Sequence, residues 1–185
     1  YLSKESEGGR VVAFPGVGTE VPIYLLGSST FSAQLAAALG MPYAFASHFA
    51  PALLEQALEI YHNKFTPYKT DDKPYTMAGI NVVLAETQEE AEFLATSSYM
   101  VMLNILRNTR NPLQKPVKEV EWSVVEEAQV KKMLKYFFIG TPETVKPQIE
   151  EFVARTQVDE LIVSSYIHNQ EKKLKSFELL AELFK

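Results

Sequence analysis

Apolar residues follow two patterns that alternate along the chain: short unbroken runs, and longer stretches in which they recur with helical spacing. Runs of strand length stand at 22–26, 43–46, 77–85 and 161–164. These runs are apolar almost throughout instead of at every second position, which is typical of strands covered on both faces of a parallel sheet. Since helical spacing follows each run, the pattern predicts four β–α units.

The predicted helices are bounded by capping residues, glycines and prolines. The first is marked by Phe31, Leu35 and Leu39, which recur at every fourth position before a glycine and a proline end the helix. Pro147 removes a main-chain donor from the helix predicted after Thr141, so that helix is expected to begin later. The remaining helices are predicted from Pro51 to about residue 65 and over 87–107, 123–135 and 170–184, with a loop over 108–120.

The number of units and the chain length limit the possible folds. Four β–α units in 185 residues predict an α/β fold of about four parallel strands with covering helices, in a single domain over 1–185. A complete (β/α)8 barrel takes roughly 250 residues, so four units make about half of one. The spacing alone leaves open whether the sheet is open or curved.

Charge and composition exclude several classes of partner. The net charge is −5, and basic residues cluster only in the short run 172–175, so neither nucleic acid nor an anionic membrane is an expected partner. No apolar stretch approaches the roughly 18 residues of a membrane helix, and the start of the chain lacks the layout of a signal peptide. We therefore expect a soluble, cytoplasmic protein.

The sequence offers few metal ligands or nucleophiles. There is no cysteine, which excludes disulfides, thiolate ligands and a thiol nucleophile, and which fits a reducing cytoplasm. His48, His62 and His168 are widely spaced in the sequence, so no metal site is expected. His62 is expected on a solvated helix face, and His168 in an exposed or helix-capping position.

The segment that follows the first strand is the strongest candidate for a binding site. Ligands of parallel α/β folds bind beyond the carboxyl ends of the strands. Gly27, Ser28, Ser29 and Thr30 place a flexible turn and three hydroxyl groups there, at the start of a helix. Unpaired N–H groups and the helix dipole favour a phosphate at such a place. A serine that only caps the helix explains the same spacing equally well, and neither a Walker nor a Rossmann fingerprint is present.

Three segments resemble a known family. PIYLLGSSTFSAQLAAALGMPYAFASHFAP at 22–51 is similar to the fifth-strand to sixth-strand region of luciferase-like monooxygenases. GTPETV at 140–145 and DELIV at 159–163 resemble the stretch that leads into the eighth strand of that family. The resemblance implies the C-terminal half of a (β/α)8 TIM-type barrel. It also implies FMN, usually as reduced flavin from a separate flavin reductase, which reacts with O2 to oxidise an aldehyde, an alkane or another small organic molecule.

The resemblance also implies roles for particular residues. Ser28, Ser29 and Ser32 fall on the positions that bind the flavin phosphate, and Gly27 permits close approach. Some relatives have a carboxylate in place of Ser28. An arginine that often contacts the phosphate, and the usual active-site histidine, belong to the first half of the barrel and have no counterpart here. His48 follows the second strand and is the candidate catalytic residue beside flavin or substrate, or else a hydrogen-bonded structural residue.

Two other functions compete with the monooxygenase. One is a catalytically inactive half-barrel that persists as a flavin-binding or structural oligomer, and the other is an oxidoreductase that uses a deazaflavin. In either case four units leave the inner face of a curved sheet open, so we expect a homodimer or association with an N-terminal half-barrel. Periodicity does not fix which side chains point inward; the candidates are Tyr24, Leu26, Phe45, Ile80, Val82 and Ile162.

Overall fold

The computed structural model describes Leu2 and residues 10–185. Its strands and helices alternate along the chain, as predicted. In chain order they are β1 (Leu25–Gly27), α1 (Thr30–Ala38), β2 (Tyr43–Phe45), a 3-10 turn (Pro51–Leu53), α2 (Leu54–Lys64), β3 (Thr76–Leu84), α3 (Gln88–Leu106), α4 (Val124–Met133), β4 (Phe137–Gly140), α5 (Pro142–Thr156), β5 (Glu160–Ser164) and α6 (Gln170–Leu183).

All strand pairs in the described sheet are parallel, and β3 lies at its centre. β1 pairs with β2, and β2 pairs with the first residues of β3. β5 pairs with the other edge of β3, beginning at Met77 opposite Glu160. The order β1, β2, β3, β5 follows the chain, as in successive strands of a barrel, so the predicted parallel α/β fold is confirmed.

The sequence analysis missed one strand. β4 pairs with the last residues of β3, where the main-chain N–H of Asn81 donates to the carbonyl oxygen of Tyr136 at 3.0 Å and that of Ala85 to Gly140 at 3.1 Å. Main-chain groups alternate in direction along a strand, so β4 lies on the same edge of β3 as β2, beyond the end of β2. The strand is only four residues long and follows a helix closely, which hides it from the apolar pattern.

Two predicted boundaries were also wrong. β1 begins at Leu25 and not at Pro22. Its pairing with β2 begins there, opposite Tyr43, and residues 22–24 have no partner in β2. α5 is continuous with Pro147 inside it, so the helix does not begin later than Thr141. The carbonyl group that Pro147 leaves without a partner belongs to Glu143, an exposed residue of the first turn that water can reach.

Four helices, α1, α2, α5 and α6, cover one face of the sheet. Phe45, Ile80 and Val82 are almost completely buried against α1, α2 and α5, so their assignment as inner-face candidates was wrong. Alternation along the strand places the neighbouring positions on the other face. There Leu26 is 65% exposed and Ile162 is 43% exposed, as expected for an open inner face.

The first helix buries its small residues and exposes its large ones. Its core contacts come from alanines at positions 33, 36 and 37, which are fully buried and leave room for α2 to pack closely. Phe31, Leu35 and Leu39 lie on the opposite side and are 72%, 39% and 49% exposed. We call these three residues the α1 stripe; they form an apolar surface that no described element covers.

The chain between β3 and β4 forms an excursion over the carboxyl edge of the sheet. α3 packs on Val83 and Ala85 at the end of β3, on the face that the other helices leave open. α4 is fixed to the end of α3 by Arg107, whose guanidinium lies 2.7 Å from the carboxylate of Glu126. Glu126 also completes a capping box with Ser123, and these contacts place α4 beside the strand ends.

Candidate functional site

The loop after β1 is held in shape by its own serines. Ser29 is the N-cap of α1, and its Oγ accepts from the main-chain N–H of Ser32 at 3.5 Å. The Oγ of Ser32 is buried; it donates to the carbonyl oxygen of Ser29 at 2.7 Å and lies 3.0 Å from the Tyr43 hydroxyl. Ser32 therefore stabilises the conformation of the loop from its buried side. The hydroxyl hydrogen of Ser29 stays available to a ligand.

Space and exposure divide the predicted phosphate residues into two groups. A side chain at Gly27 would collide with Ser32, so this glycine lets the helix start pack against the strand end. Ser28 is exposed, and no described residue accepts from the first-turn N–H groups of Thr30 and Phe31. The accessible donors are thus Ser28, Ser29 and these two N–H groups, which together suit a phosphate oxyanion.

His48 lies on the open face of the sheet, next to the strand ends. Its ring rests on Gly79 of β3, where any side chain would collide with the Nδ1 atom. The ring of Phe49 meets it edge-on, with ring centroids 5.0 Å apart. The prediction that His48 faces the mouth of the barrel agrees with this position, and its catalytic role stays a prediction.

A small polar network fixes the chain around His48. The side-chain N–H of Asn81 donates to the main-chain carbonyl oxygen of His48, and the side-chain Oδ1 of Asn81 accepts from the Ser164 hydroxyl at 2.7 Å. The hydroxyl of Ser47 donates to the carbonyl oxygen of Gly79 at 2.6 Å. The network joins the ends of β2, β3 and β5. Sequence analysis missed it, although the one amide in the apolar run 77–85 marks its centre.

Burial favours the neutral form of His48. It lowers the pKa of the imidazole below the ordinary value of 6.5, so His48 is neutral at pH 7. Its Nδ1 atom is buried and has no hydrogen-bond partner among the described residues. His62 and His168 are exposed, as predicted, and take no part in the site. The described residues contain no cluster that could hold a metal ion.

We expect Gly79→Ala to displace His48, because the new methyl group occupies the place of the Nδ1 atom. The ring then moves toward solvent, and its pKa rises toward 6.5. NMR titration of the histidine Cε1–H signals measures this pKa, with exposed His62 as the internal control. An unchanged His48 pKa in a folded variant contradicts the packing described here.

A cavity of about 490 Å³ adjoins the loop after β1. Ser28 forms one side, the turn at 49–53 forms the floor, and Leu106 with the exposed face of α4 closes the far side. No pattern in the sequence indicates this cavity, because α4 lies close to the strand ends only through its contacts with α3.

A family model described as luciferase-like monooxygenase matches residues 3–160, and the chain therefore belongs to this family. The resemblance seen in the segments at 22–51 and 140–163 is confirmed. The match covers the loop after β1, the turn at His48 and the excursion.

The relatives include proteins from two bacteria. The chain is 46% identical over 178 residues to YvbT of Bacillus subtilis, described as uncharacterized, and covers 53% of it with 95% of its own length. It is 39% identical over 171 residues to a luciferase-like monooxygenase of Escherichia coli K12, covering 51% of it with 91% of its own length. The chain spans about half the length of the curated relatives it matches.

Two solved structures have the same fold as this chain. The chain superposes on apo-MsnO8 with a TM-score of 0.78 and 26% identity, covering 96% of the chain and 55% of MsnO8. It also matches the oxygenating constituent of 3,6-diketocamphane monooxygenase from Pseudomonas putida, solved in complex with FMN, with a TM-score of 0.56, 16% identity, and 92% and 50% coverage. The half-barrel of TIM type is thereby confirmed. No helix in the described part of the chain is long and apolar enough to cross a membrane.

Proposed function

We propose that the chain is the C-terminal half of a monooxygenase that uses reduced FMN and O2 to oxidise a small organic molecule such as an aldehyde. The observation that carries this proposal is the loop after β1, where two serine hydroxyls and two unpaired N–H groups converge at the carboxyl edge of a parallel sheet. An FMN phosphate needs several donors and a positive dipole, and the loop supplies both. The FMN complex of the diketocamphane enzyme adds support.

Each part of the site has a separate task in this proposal. Ser28, Ser29 and the helix start bind the phosphate, with Ser32 and Gly27 holding the loop in shape. FMN supplies the redox chemistry when bound. His48, neutral and seated on Gly79, lies beside flavin or substrate, where it can donate or accept a hydrogen bond. The excursion of α3 and α4 covers part of the strand ends and limits access of water.

The partners follow from the same chemistry. A flavin reductase delivers the reduced flavin, in the cytoplasm, and the other walls of the site come from a second copy of this chain or from an N-terminal half-barrel. The open inner face at Leu26 and Ile162 supports such an association.

The second candidate is an inactive half-barrel that binds flavin or serves as a structural oligomer. The large exposed apolar surface favours it, because a half-barrel on its own lacks the walls that exclude water from a reacting flavin. A deazaflavin in place of FMN is distinguished by its absorbance spectrum.

Titration of the purified chain with FMN, followed by visible absorbance, tests the proposal. We expect binding of FMN but negligible turnover by the chain alone with reduced FMN, O2 and long-chain aldehydes, since half of the walls are missing. If the chain binds no flavin, the result supports the second candidate, an inactive half-barrel with a structural role. Robust turnover by the isolated chain contradicts the incomplete site and shows that these four units hold all the catalytic groups.

A further inference from the structure

The cavity of about 490 Å³ beside the loop after β1 has the lining of a small-molecule site. Its walls are mainly apolar: the turn at 49–53 on one side, and Leu106 and Met133 on the other. Its size falls within the roughly 300–1,000 Å³ of known ligand pockets. Apolar walls of this extent favour a ligand with an apolar body.

The polar groups of the cavity lie at its sides. Ser28 comes from the loop, and Gln129 and Lys132 come from α4. Residues three apart lie on one face of a helix, so Gln129 and Lys132 both face the cavity. Their donors are an amide and an ammonium group, and the hydroxyl of Ser28 adds a third. The polar part of a ligand in this cavity therefore accepts hydrogen bonds.

The three lysines in and after α4 differ in their partners. Lys131 pairs with Glu127 at 2.5 Å, and Lys135 lies 3.7 Å from Glu55. Lys132 pairs with no carboxylate among the residues that the structure describes, and it lines the cavity. An unneutralised ammonium group at the rim of an apolar cavity favours a negatively charged ligand group.

The position of the cavity connects it to His48. Phe49 lines the cavity and also meets the ring of His48 edge-on, with 5.0 Å between ring centroids. A molecule bound in the cavity is thus separated from His48 by one aromatic side chain. Ser28, one of the predicted phosphate donors, also lines the cavity.

We propose that this cavity binds an organic anion, with its apolar body on the turn at 49–53 and its charged group on Lys132 and Gln129. The proposal deepens the proposed function, on which it rests, by naming the chemistry of a molecule that the site accepts. The anion has two sources, a carboxylate on the organic substrate or the phosphate of FMN. Both present oxygen acceptors to the same ammonium group.

The test compares two pairs of probes that differ only in charge. Octanoate and 1-octanol share one chain, and FMN and riboflavin differ by the phosphate. NMR titrations of the full chain measure all four affinities in the wild type, in Lys132→Gln, and in Lys131→Gln as the matched control. We expect Lys132→Gln to weaken binding of octanoate or FMN roughly 10-fold, and to leave 1-octanol, riboflavin and the control unchanged.

The pattern of effects identifies the source. Loss confined to octanoate identifies a carboxylate-bearing substrate, and loss confined to FMN over riboflavin identifies the cofactor phosphate. If no flavin binds but octanoate binding depends on Lys132, the anion site stands and the proposed function fails. Equal affinity of the wild type for charged and uncharged probes, or equal effects of the two lysine variants, overturns the proposal.

Discussion

The double variant Ser29→Ala/Ser32→Ala is expected to bind FMN at least 10-fold more weakly than the wild type. Ser29 loses a donor to the phosphate, and each charge-assisted hydrogen bond is worth about 1.5–3 kcal/mol, or roughly 10- to 100-fold in affinity. Ser32 contributes indirectly. Its hydroxyl donates to the carbonyl oxygen of Ser29 at 2.7 Å, and loss of this hydrogen bond is expected to change the conformation of the loop. Titration of FMN, followed by flavin absorbance, measures the change.

Two controls separate phosphate binding from a general loss of structure. Riboflavin lacks the phosphate, so its affinity should change little. Ser123→Ala removes the N-cap of α4 as Ser29→Ala removes that of α1, at a cost of about 1 kcal/mol in stability, but Ser123 lies outside the phosphate loop. Unchanged FMN binding by the double variant removes the site assignment.

The order and type of most elements could be predicted, because local signals mark them. Buried strands appear as apolar runs, and caps such as Thr87 and Ser123 mark the helix starts. The parallel sheet followed from the same runs. β4 was missed because only residues 134–136 separate it from α4, and none of these is a glycine, a proline or another typical turn residue.

The orientation of elements could not be predicted from periodicity. The α1 stripe has the spacing of a buried helix face, yet the alanines on the other side of α1 carry the contacts with α2. Periodicity shows that a helix has an apolar side. Which side is buried depends on the element that packs against the helix, here α2. Phe45, Ile80 and Val82 were misplaced for the same reason, since runs apolar at every position show no inner or outer face.

The site was predicted in part. The loop at Gly27 to Ser32 carries a local sequence pattern and a family resemblance, and its capping geometry is now visible. His48 packs on Gly79, and its carbonyl oxygen accepts a hydrogen bond from Asn81. These contacts join residues about thirty positions apart, and a single sequence does not reveal contacts at that separation. Lys132 reaches the site only through the packing of α4 on α3.

Association is expected to be the most pronounced solution property of this chain. Leu26 and Ile162 on the open sheet face and the three residues of the α1 stripe are between 39% and 72% exposed. Full burial of one such side chain is worth about 1.5–3 kcal/mol, so burying several is comparable to a typical total stability of about 5–15 kcal/mol. One edge of β1 has no partner strand among the described residues, which adds a further drive to associate.

A two-fold homodimer or a complex with an N-terminal half-barrel meets this expectation, and size-exclusion chromatography with light scattering distinguishes both from a monomer. Leu26→Glu/Phe31→Glu should shift the chain toward the monomer, whereas Val124→Glu on α4, an exposed position that belongs to neither surface, should not. A well-behaved wild-type monomer at micromolar concentration would require the excursion to cover the inner face. The excursion packs on the last residues of β3 and on β4, and it leaves Leu26 and Ile162 exposed, so that outcome would contradict the half-barrel itself.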